Sequence, residues 1–84
     1  MFYRSSRFRK QFKKCADKIR LAALERLAVL ERNEFDVVLS NHKLSGNYAE
    51  YRSINVTGDV RIAYRRVPDG FYLAAIGTHS ELYK

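Results

Sequence analysis

Four residues in the second half of the chain have side chains that can move protons or stabilise negative charge. His42 and His79 are the two histidines of the sequence, and Asp59 and Arg61 lie between them. Histidine titrates near pH 6.5, so at neutral pH one imidazole can accept a proton while another donates one. A carboxylate can orient or charge a neighbouring imidazole, and a guanidinium can stabilise an anionic transition state. This set is suited to acid–base chemistry.

Cleavage of RNA is a reaction that this set could perform. The 2′-hydroxyl of RNA is a built-in nucleophile, and its attack needs a base, an acid for the leaving 5′ oxygen and a cation for the charged phosphorane. Two histidines and Cys15, at spacings of 27 residues or more, do not form a zinc pattern, and no Gly-rich phosphate loop precedes a helix. We therefore expect neither a metal nor a cofactor.

The N-terminal third predicts two amphipathic helices. Residues 1–4 favour a short strand, and Ser5 or Ser6 then provides an N-cap for the first helix. The second helix, over residues 17–32, can be capped by Asp17. The apolar stripes of the two helices are Phe8, Phe12 and Cys15 in the first and Ile19, Ala23, Leu27 and Leu30 in the second. Because the connection between the helices is short, they are expected to form an antiparallel hairpin.

Three strand-like segments follow the helices, at about residues 48–56, 60–67 and 71–78. Thr57-Gly58-Asp59 and Pro68-Asp69-Gly70 are typical hairpin connections between them. Period-2 alternation assigns one face of the sheet to the core and leaves the other face polar. The core-facing set is Ile54, Val56, Val60, Ile62 and Tyr64, and the second face carries Tyr51, Ser53, Asn55, Arg61, Ala63 and Arg65. Two helices packed on one face of an antiparallel meander define an α+β fold.

The length and charge of the chain limit its organisation and its partners. Eighty-four residues are expected to form a single domain, 1–84. Residues 1–32 contain ten Lys or Arg and three Asp or Glu, a net charge of +7, whereas the charges of residues 33–84 cancel. This asymmetry favours a polyanionic partner, either nucleic acid or an acidic protein, although an ordinary solvated helix surface has a similar composition.

The sequence contains no run of about 18 apolar residues that could span a membrane. Its single cysteine, Cys15, cannot form an internal disulfide and lies on an apolar helix stripe, as a small buried residue would. We expect a reduced, cytoplasmic protein without a membrane partner.

Several motifs of this chain, taken together, resemble one known family. They are Ser5-Ser6-Arg7-Phe8-Arg9-Lys10-Gln11-Phe12-Lys13-Lys14, then His42-Lys43-Leu44-Ser45-Gly46-Asn47-Tyr48, then Gly58-Asp59 with Ile62-Ala63-Tyr64-Arg65, and finally Ile76-Gly77-Thr78-His79-Ser80-Glu81-Leu82-Tyr83. The set is similar to the YafQ branch of the RelE/ParE toxin superfamily and covers nearly the whole chain. The resemblance implies a RelE-like microbial ribonuclease fold, which agrees with the arrangement of elements expected above.

The resemblance also implies an activity. Family members are toxins of type II toxin–antitoxin modules, and the activity implied is a ribosome-dependent endonuclease that cuts translated mRNA. By position, His42 and His79 match the catalytic histidines of the family and Asp59 matches its catalytic aspartate. Arg61 matches an arginine that other members use to stabilise the phosphate, and Tyr83 matches a C-terminal aromatic residue expected to stack on a base.

The resemblance extends to substrate contacts and partners. Lys43, Asn55 and Arg65 are expected to contact the substrate together with Tyr83. The ribosome and mRNA are the implied substrate partners, with the basic helices held on ribosomal RNA by contacts that weaken as salt rises. A cognate antitoxin protein is the other implied partner, in a hetero-oligomeric complex that binds operator DNA through the antitoxin.

The chain departs from the family pattern at four positions. Asn55 stands where related enzymes have a further histidine, and it can form hydrogen bonds but cannot exchange a proton at pH 7. Ser53 replaces an acidic residue, Val60 a tryptophan and Ala75 an arginine. Two alternatives therefore stay open: a ParE-like toxin that inhibits gyrase, and a homologue with weakened catalysis that mainly binds its antitoxin.

Overall fold

The computed structural model describes residues 1–82, so Tyr83 and Lys84 lie outside the described part of the chain. Its elements follow the expected order of a strand, two helices and an antiparallel meander. The strands are β1 (Phe2–Arg4), β2 (His42–Lys43), β3 (Arg52–Thr57), β4 (Val60–Val67) and β5 (Gly70–Thr78). The helices are α1 (Ser6–Lys14), α2 (Asp17–Arg32) and α3 (His79–Leu82), and the two 3₁₀ helices are Val37–Leu39 and Gly46–Tyr48. This arrangement confirms the α+β fold.

The five strands form one sheet in the order β1-β5-β4-β3-β2. β1 pairs with β5 in parallel, and the other neighbours are antiparallel. Two details of the prediction were wrong. β2 was not expected as a strand, and the segment predicted from residue 48 becomes a strand only at Arg52, because residues 46–48 form a 3₁₀ helix instead.

The structure confirms a predicted N-cap for α1 but not the one predicted for α2. Ser5 is the N-cap of α1, and its hydroxyl accepts a 2.9 Å hydrogen bond from the amide of Phe8. The expectation that Asp17 caps α2 was wrong. Ala16 holds the N-cap position without a side-chain hydrogen bond, while Asp17 is the first helical residue and pairs with Arg20. A carboxylate in the first turn still interacts favourably with the positive end of the helix dipole.

The hydrophobic core lies between the two long helices and one face of the sheet. The alternation along β3 and β4 predicted that face, and Ile54, Val56, Ile62 and Tyr64 are fully buried, whereas Val60 is partly exposed. The other buried members of the core are Phe8, Ala23, Leu27, Leu30, Leu39, Leu73 and Ile76. Cys15, expected to be buried, is only partly so, although it packs against this core. Burial raises the pKa of its thiol.

The described residues contain no helix long and apolar enough to cross a membrane. The opposite face of the sheet is covered only in part. Ser53 and Ala63 on that face are buried, and Tyr48, Tyr51 and Leu82 line a cavity of about 170 Å³ that Ala63 also lines.

Candidate functional site

The candidate site is built on the sheet face that the long helices leave uncovered. His42 on β2 lies directly opposite Ser53 on β3, which lies opposite Ala63 on β4. One step along the sheet, Asn55 on β3 lies opposite Arg61 on β4. Directly opposed residues of antiparallel strands share a face, so His42 and Arg61 are on the same face of the sheet.

Arg61 lies near the middle of this face. Its Nη1 atom is 3.5 Å from the hydroxyl oxygen of Ser53, so the guanidinium extends toward the row that begins at His42. Asn55 and Arg61 are each partly exposed. Both side chains can therefore contact a molecule that lies across β3 and β4. This position is compatible with the predicted roles of Arg61 as the cation that stabilises the phosphate and of Asn55 as a substrate contact.

Asp59 and His79 lie together at one end of the sheet. Val60 opens β4 opposite Thr78, which closes β5, so the residues next to this pair, Asp59 and His79, are neighbours at the same end. Both residues are exposed. Both side chains can therefore reach a molecule bound at this end of the sheet.

The two histidines approach the site from different sides. His42 is on the outer strand β2 and His79 follows β5, three strands away, a lateral separation of about 14 Å between the strands. The imidazoles can thus act on one group only if that group lies between them, over β3 and β4. Arg61 is on β4, within this interval.

The remaining expected substrate contacts differ in position. Arg65 is on the same face as Arg61, but farther along β4, where its guanidinium stacks 4.8 Å from the centre of the Tyr72 ring. Lys43 is exposed and follows His42 directly, so the alternation of β2 directs it to the opposite face of the sheet. The structure brings neither Lys43 nor Arg65 to the centre of the site. Tyr83 lies outside the described residues.

A partly buried polar network beside His42 was missed by the sequence reasoning. The Tyr64 hydroxyl donates a 2.6 Å hydrogen bond to Glu34 Oε2, and Asn41 Nδ2 donates to the Tyr64 hydroxyl at 2.6 Å and to the Glu34 carbonyl at 2.9 Å. Arg52 Nε donates to Asn41 Oδ1 at 2.7 Å, and Arg66 forms an ion pair with Glu34. We refer to Glu34, Asn41, Arg52, Tyr64 and Arg66 as the Asn41 network.

The environment of this network shifts the pKa values of two of its groups, Glu34 and Tyr64, in opposite directions. Burial by itself raises the pKa of Glu34, but hydrogen bonds from Arg66 and Tyr64 outweigh burial and hold the pKa of this carboxyl below its ordinary value. Burial, together with donation to Glu34, raises the pKa of Tyr64 well above its ordinary value. Glu34 is therefore ionised and Tyr64 is neutral at pH 7. No local motif predicts the pair, because 30 residues separate the two.

Tyr48 is a further residue that the sequence reasoning did not assign to the site, and Tyr51 was placed on this face by the alternation but given no role there. They line the cavity of about 170 Å³ on the face of His42, together with Arg7, Asn47 and Ala75. Aromatic walls, an amide and a guanidinium around a slot of this size suit a flat ring joined to an anionic group. Tyr48 fell in a segment predicted as a strand and carried no signal for its place in the cavity.

The fold is shared with toxins of known structure. YafQ from E. coli is similar with a TM-score of 0.78 and 22% sequence identity, over 100% of this chain and 98% of that chain. The toxin–antitoxin complex DinJ–YafQ from E. coli contains a chain that is similar with a TM-score of 0.77 and 23% identity, covering 100% and 97%. The YoeB–YefM complex from Staphylococcus aureus gives a TM-score of 0.82 and 19% identity, covering 94% and 95%.

These similarities define the fold class, two long helices packed on one face of a mostly antiparallel sheet. The family follows from the sequence, since the family described as YafQ, bacterial toxin of type II toxin–antitoxin system, matches residues 1–84. The chain belongs to the YafQ toxin family. No curated protein matches it.

Proposed function

We propose that this toxin is an endoribonuclease that cleaves mRNA on the ribosome without a metal ion. The observation that carries the proposal is the arrangement of the sheet, with His42 at the β2 edge of one face, Arg61 in the middle of that face, and Asp59 and His79 at the end where β4 begins and β5 ends. An acid and a base on opposite sides of a central cation match the needs of 2′-hydroxyl attack on a phosphate.

In the proposed reaction, His42 removes the proton from the 2′-hydroxyl, and the resulting oxygen attacks the adjacent phosphorus. The bond from phosphorus to the 5′ oxygen breaks, and His79 donates a proton to that leaving oxygen. The products are a 2′,3′-cyclic phosphate and a free 5′-hydroxyl. Arg61 stabilises the additional negative charge of the phosphorane, and Asp59 orients the imidazole of His79.

Tyr48 and Tyr51 add a support for an RNA substrate. The cavity that they line is continuous with the row of His42, Ser53 and Ala63, because Ala63 belongs to both. Stacking of a base on an aromatic ring is worth about 1–3 kcal/mol and does not require a particular base.

The basic helices are proposed to hold the toxin on ribosomal RNA. The exposed cations of α1 and of the start of α2 are Arg7, Arg9, Lys10, Lys13, Lys14 and Lys18. Such contacts release counterions from the phosphate backbone, so binding to ribosomes is expected to fall steeply as the salt concentration rises.

Cell-free translation followed by primer extension tests the nuclease activity. The wild-type protein is expected to cut a translated mRNA and to leave the same RNA intact in the absence of ribosomes. His42→Ala and His79→Ala are each expected to reduce cleavage by roughly 10²–10⁴-fold. Tyr3→Phe, on the exposed side of β1, is the matched control and should cut like the wild type.

Two outcomes would replace this function by one of the alternatives. Intact mRNA together with inhibited supercoiling by gyrase would indicate a ParE-like toxin. Intact mRNA together with normal growth on expression of the toxin alone would indicate a homologue that mainly binds its antitoxin.

The second part of the proposal is a surface for the antitoxin. A groove of about 420 Å³, which we call the helix groove, lies between α1, α2 and β1 and is lined by Phe2, Phe8, Phe12, Leu24, Leu27 and Leu73. Leu24, which lines the groove, is 54% exposed, and Leu21, which lines a neighbouring cavity with Leu24, is 66% exposed. Arg4 lines the same groove, and Arg9 and Lys13 line the cavity next to it.

An amphipathic segment of the antitoxin with acidic flanks fits this surface, because apolar side chains would fill the groove while carboxylates meet the surrounding cations. The solved DinJ–YafQ and YoeB–YefM complexes show that similar toxins assemble with antitoxins.

Co-purification with the product of the neighbouring open reading frame tests the antitoxin surface. Leu24→Glu is expected to abolish the complex, whereas Val37→Glu, at a site that is 90% exposed on the 3₁₀ helix, should not. Retention of the antitoxin by the Leu24→Glu variant would show that the helix groove is not the docking site.

A further inference from the structure

The ring of His42 has a defined partner in the backbone. Its Nδ1 atom lies 3.1 Å from the carbonyl oxygen of Ser40. A carbonyl oxygen can only accept a hydrogen bond, so a neutral His42 ring that makes this contact carries its proton on Nδ1. Its Nε2 atom then has a free lone pair and can accept a proton. This tautomer is the one that a general base at Nε2 requires.

The backbone that presents the Ser40 carbonyl is unusual. Ser40 has a φ of 45° and is the one residue other than glycine with a positive φ among the described residues. It ends the 3₁₀ helix Val37–Leu39, and its amide donates to the carbonyl of Val37. A left-handed conformation costs about 1 kcal/mol or more outside glycine, so the surrounding structure must hold it.

Asn41, between Ser40 and His42, is fixed by the Asn41 network. Its amide uses both hydrogens, toward Tyr64 and the Glu34 carbonyl, and its oxygen accepts from Arg52. Tyr64 is fully buried and the Glu34 side chain is only 8% exposed. By contrast, β2 has two residues and pairs with β3 alone, at the edge of the sheet. The network therefore adds a restraint to a segment whose strand pairing is short.

We propose that Asn41 and Tyr64, with Glu34 and Arg52, are positioning residues for His42: they hold the Ser40 carbonyl against Nδ1 and thereby keep Nε2 available to accept the proton of the RNA 2′-hydroxyl. The assignment of the 2′-hydroxyl rests on the proposed function. The state of the His42 ring does not, since it is a property of the free protein.

Nitrogen-15 NMR of the imidazole rings in the free, full-length protein tests the positioning directly. The measurement is made at a pH high enough that a further increase no longer changes the ring signals, so that only neutral rings are compared. The wild-type spectrum should show His42 as the Nδ1–H tautomer. Asn41→Ala and Tyr64→Phe should each convert this signal to an average of both tautomers and leave the His79 signals unchanged.

Tyr3→Phe is the matched control for Tyr64→Phe. It removes a tyrosine hydroxyl that donates a 2.7 Å hydrogen bond to Asp69, at the other edge of the sheet. Its His42 signals should equal those of the wild type. Asn41→Ala provides a second variant if Tyr64→Phe folds poorly, because Asn41 is only partly buried.

The kinetic readout separates positioning from loss of structure. For folded Asn41→Ala, kcat for mRNA cleavage should fall roughly tenfold, as is typical when a residue that orients a reacting side chain is removed. KM should change little, since the variant keeps the residues proposed to contact the RNA.

A wild-type His42 ring protonated on Nε2 would overturn the proposal, as would an unchanged Nδ1–H tautomer in both network variants. Equal loss of the tautomer in Tyr3→Phe would show a general effect of stability instead. If the wild-type protein does not cleave RNA but His42 responds as expected, the positioning stands and the proposed function fails.

Discussion

The helix-covered face of the sheet and the opposite face differ in how completely their side chains are buried. Ile54, Ile62 and Ile76 on the first face are almost inaccessible to water. On the second face, Asn55 and Arg61 remain partly exposed and His42 is exposed. Burial of apolar side chains stabilises a domain, whereas a partly exposed polar side chain contributes little to stability and can meet a ligand.

This difference predicts that stability and activity can be separated by substitutions on the two faces. The Asn41 network is the exception, because it connects the two faces. Tyr64 belongs to the buried face and contacts Asn41, the neighbour of His42. Changes there are expected to alter both properties.

The largest effect on stability is expected from Phe8→Ala. Phe8 is 2% exposed and packs on the buried face, so its truncation should cost about 3–5 kcal/mol. A domain of this size has a total stability of about 4–13 kcal/mol, so the variant should be marginally folded. Urea unfolding measures the loss. At low temperature, cleavage per folded molecule should match the wild type, and a lower value would show that the two faces are coupled.

Arg61→Gln is expected to have the opposite signature. Loss of the cation proposed to stabilise the phosphorane should reduce kcat by roughly 10²–10³-fold. The free energy of unfolding should change by less than about 0.5 kcal/mol, since the hydrogen bond of Arg61 within residues 1–82 is a single long one, to Ser53. Single-turnover cleavage and urea unfolding of the same preparation give both quantities. Normal cleavage by this variant would remove Arg61 from the mechanism.

Glu34→Gln tests the network through pH. The pKa of Glu34 is held below its ordinary value, so its ionised form contributes stability above the unfolded pKa of about 4.3, and that contribution is lost as pH falls through the lower folded pKa. The variant should be about 1–2 kcal/mol less stable than the wild type at pH 7. Urea unfolding at several pH values should show this difference shrinking below about pH 4. A constant difference would contradict the shift.

Gly77→Ala is expected to have the smallest effect. A Cβ atom at Gly77 would lie 2.9 Å from Glu81 Oε1, which accepts a 2.7 Å hydrogen bond from the amide of Thr78. The carboxylate can rotate away, at the loss of that hydrogen bond, so the cost should be about 1 kcal/mol. Because His79 begins α3 next to this contact, cleavage should fall by less than about tenfold. Thermal unfolding and primer extension measure the two effects.

Some parts of the fold could be predicted because they depend on neighbouring residues. Ser5 as the cap of α1 and the alternation of Ile54, Val56 and Ile62 are local signals, and the structure confirms both. Asp17 shows the limit of such signals, because a capping residue type can equally occupy the first turn of the helix. The parallel pairing of β1 with β5 joins residues nearly 70 positions apart and has no local signature.

The candidate site likewise contains residues that could be recognised from the sequence and residues that only the structure identified. The types of His42, Asp59, Arg61 and His79 and their resemblance to one family were available from the sequence, and family membership is now established. Their catalytic roles stay predictions. Ser53 and Ala75 are two of the departures from the family pattern. Both side chains are buried on the face of the sheet that the long helices do not cover. Tyr48 could not be assigned, because it lies in a 3₁₀ helix rather than in the predicted strand.

By itself, the sequence determined which side chains alternate on each strand, where the positive charge is concentrated and which residues can exchange protons. Each of these properties is set by residue type and short-range spacing. Only the tertiary structure decided that His42 stands at an edge three strands from β5, with Arg61 between, and that its ring faces the Ser40 carbonyl. Those features depend on contacts between segments such as Glu34 and Tyr64, which are distant in sequence and meet only when the sheet and its connections are packed.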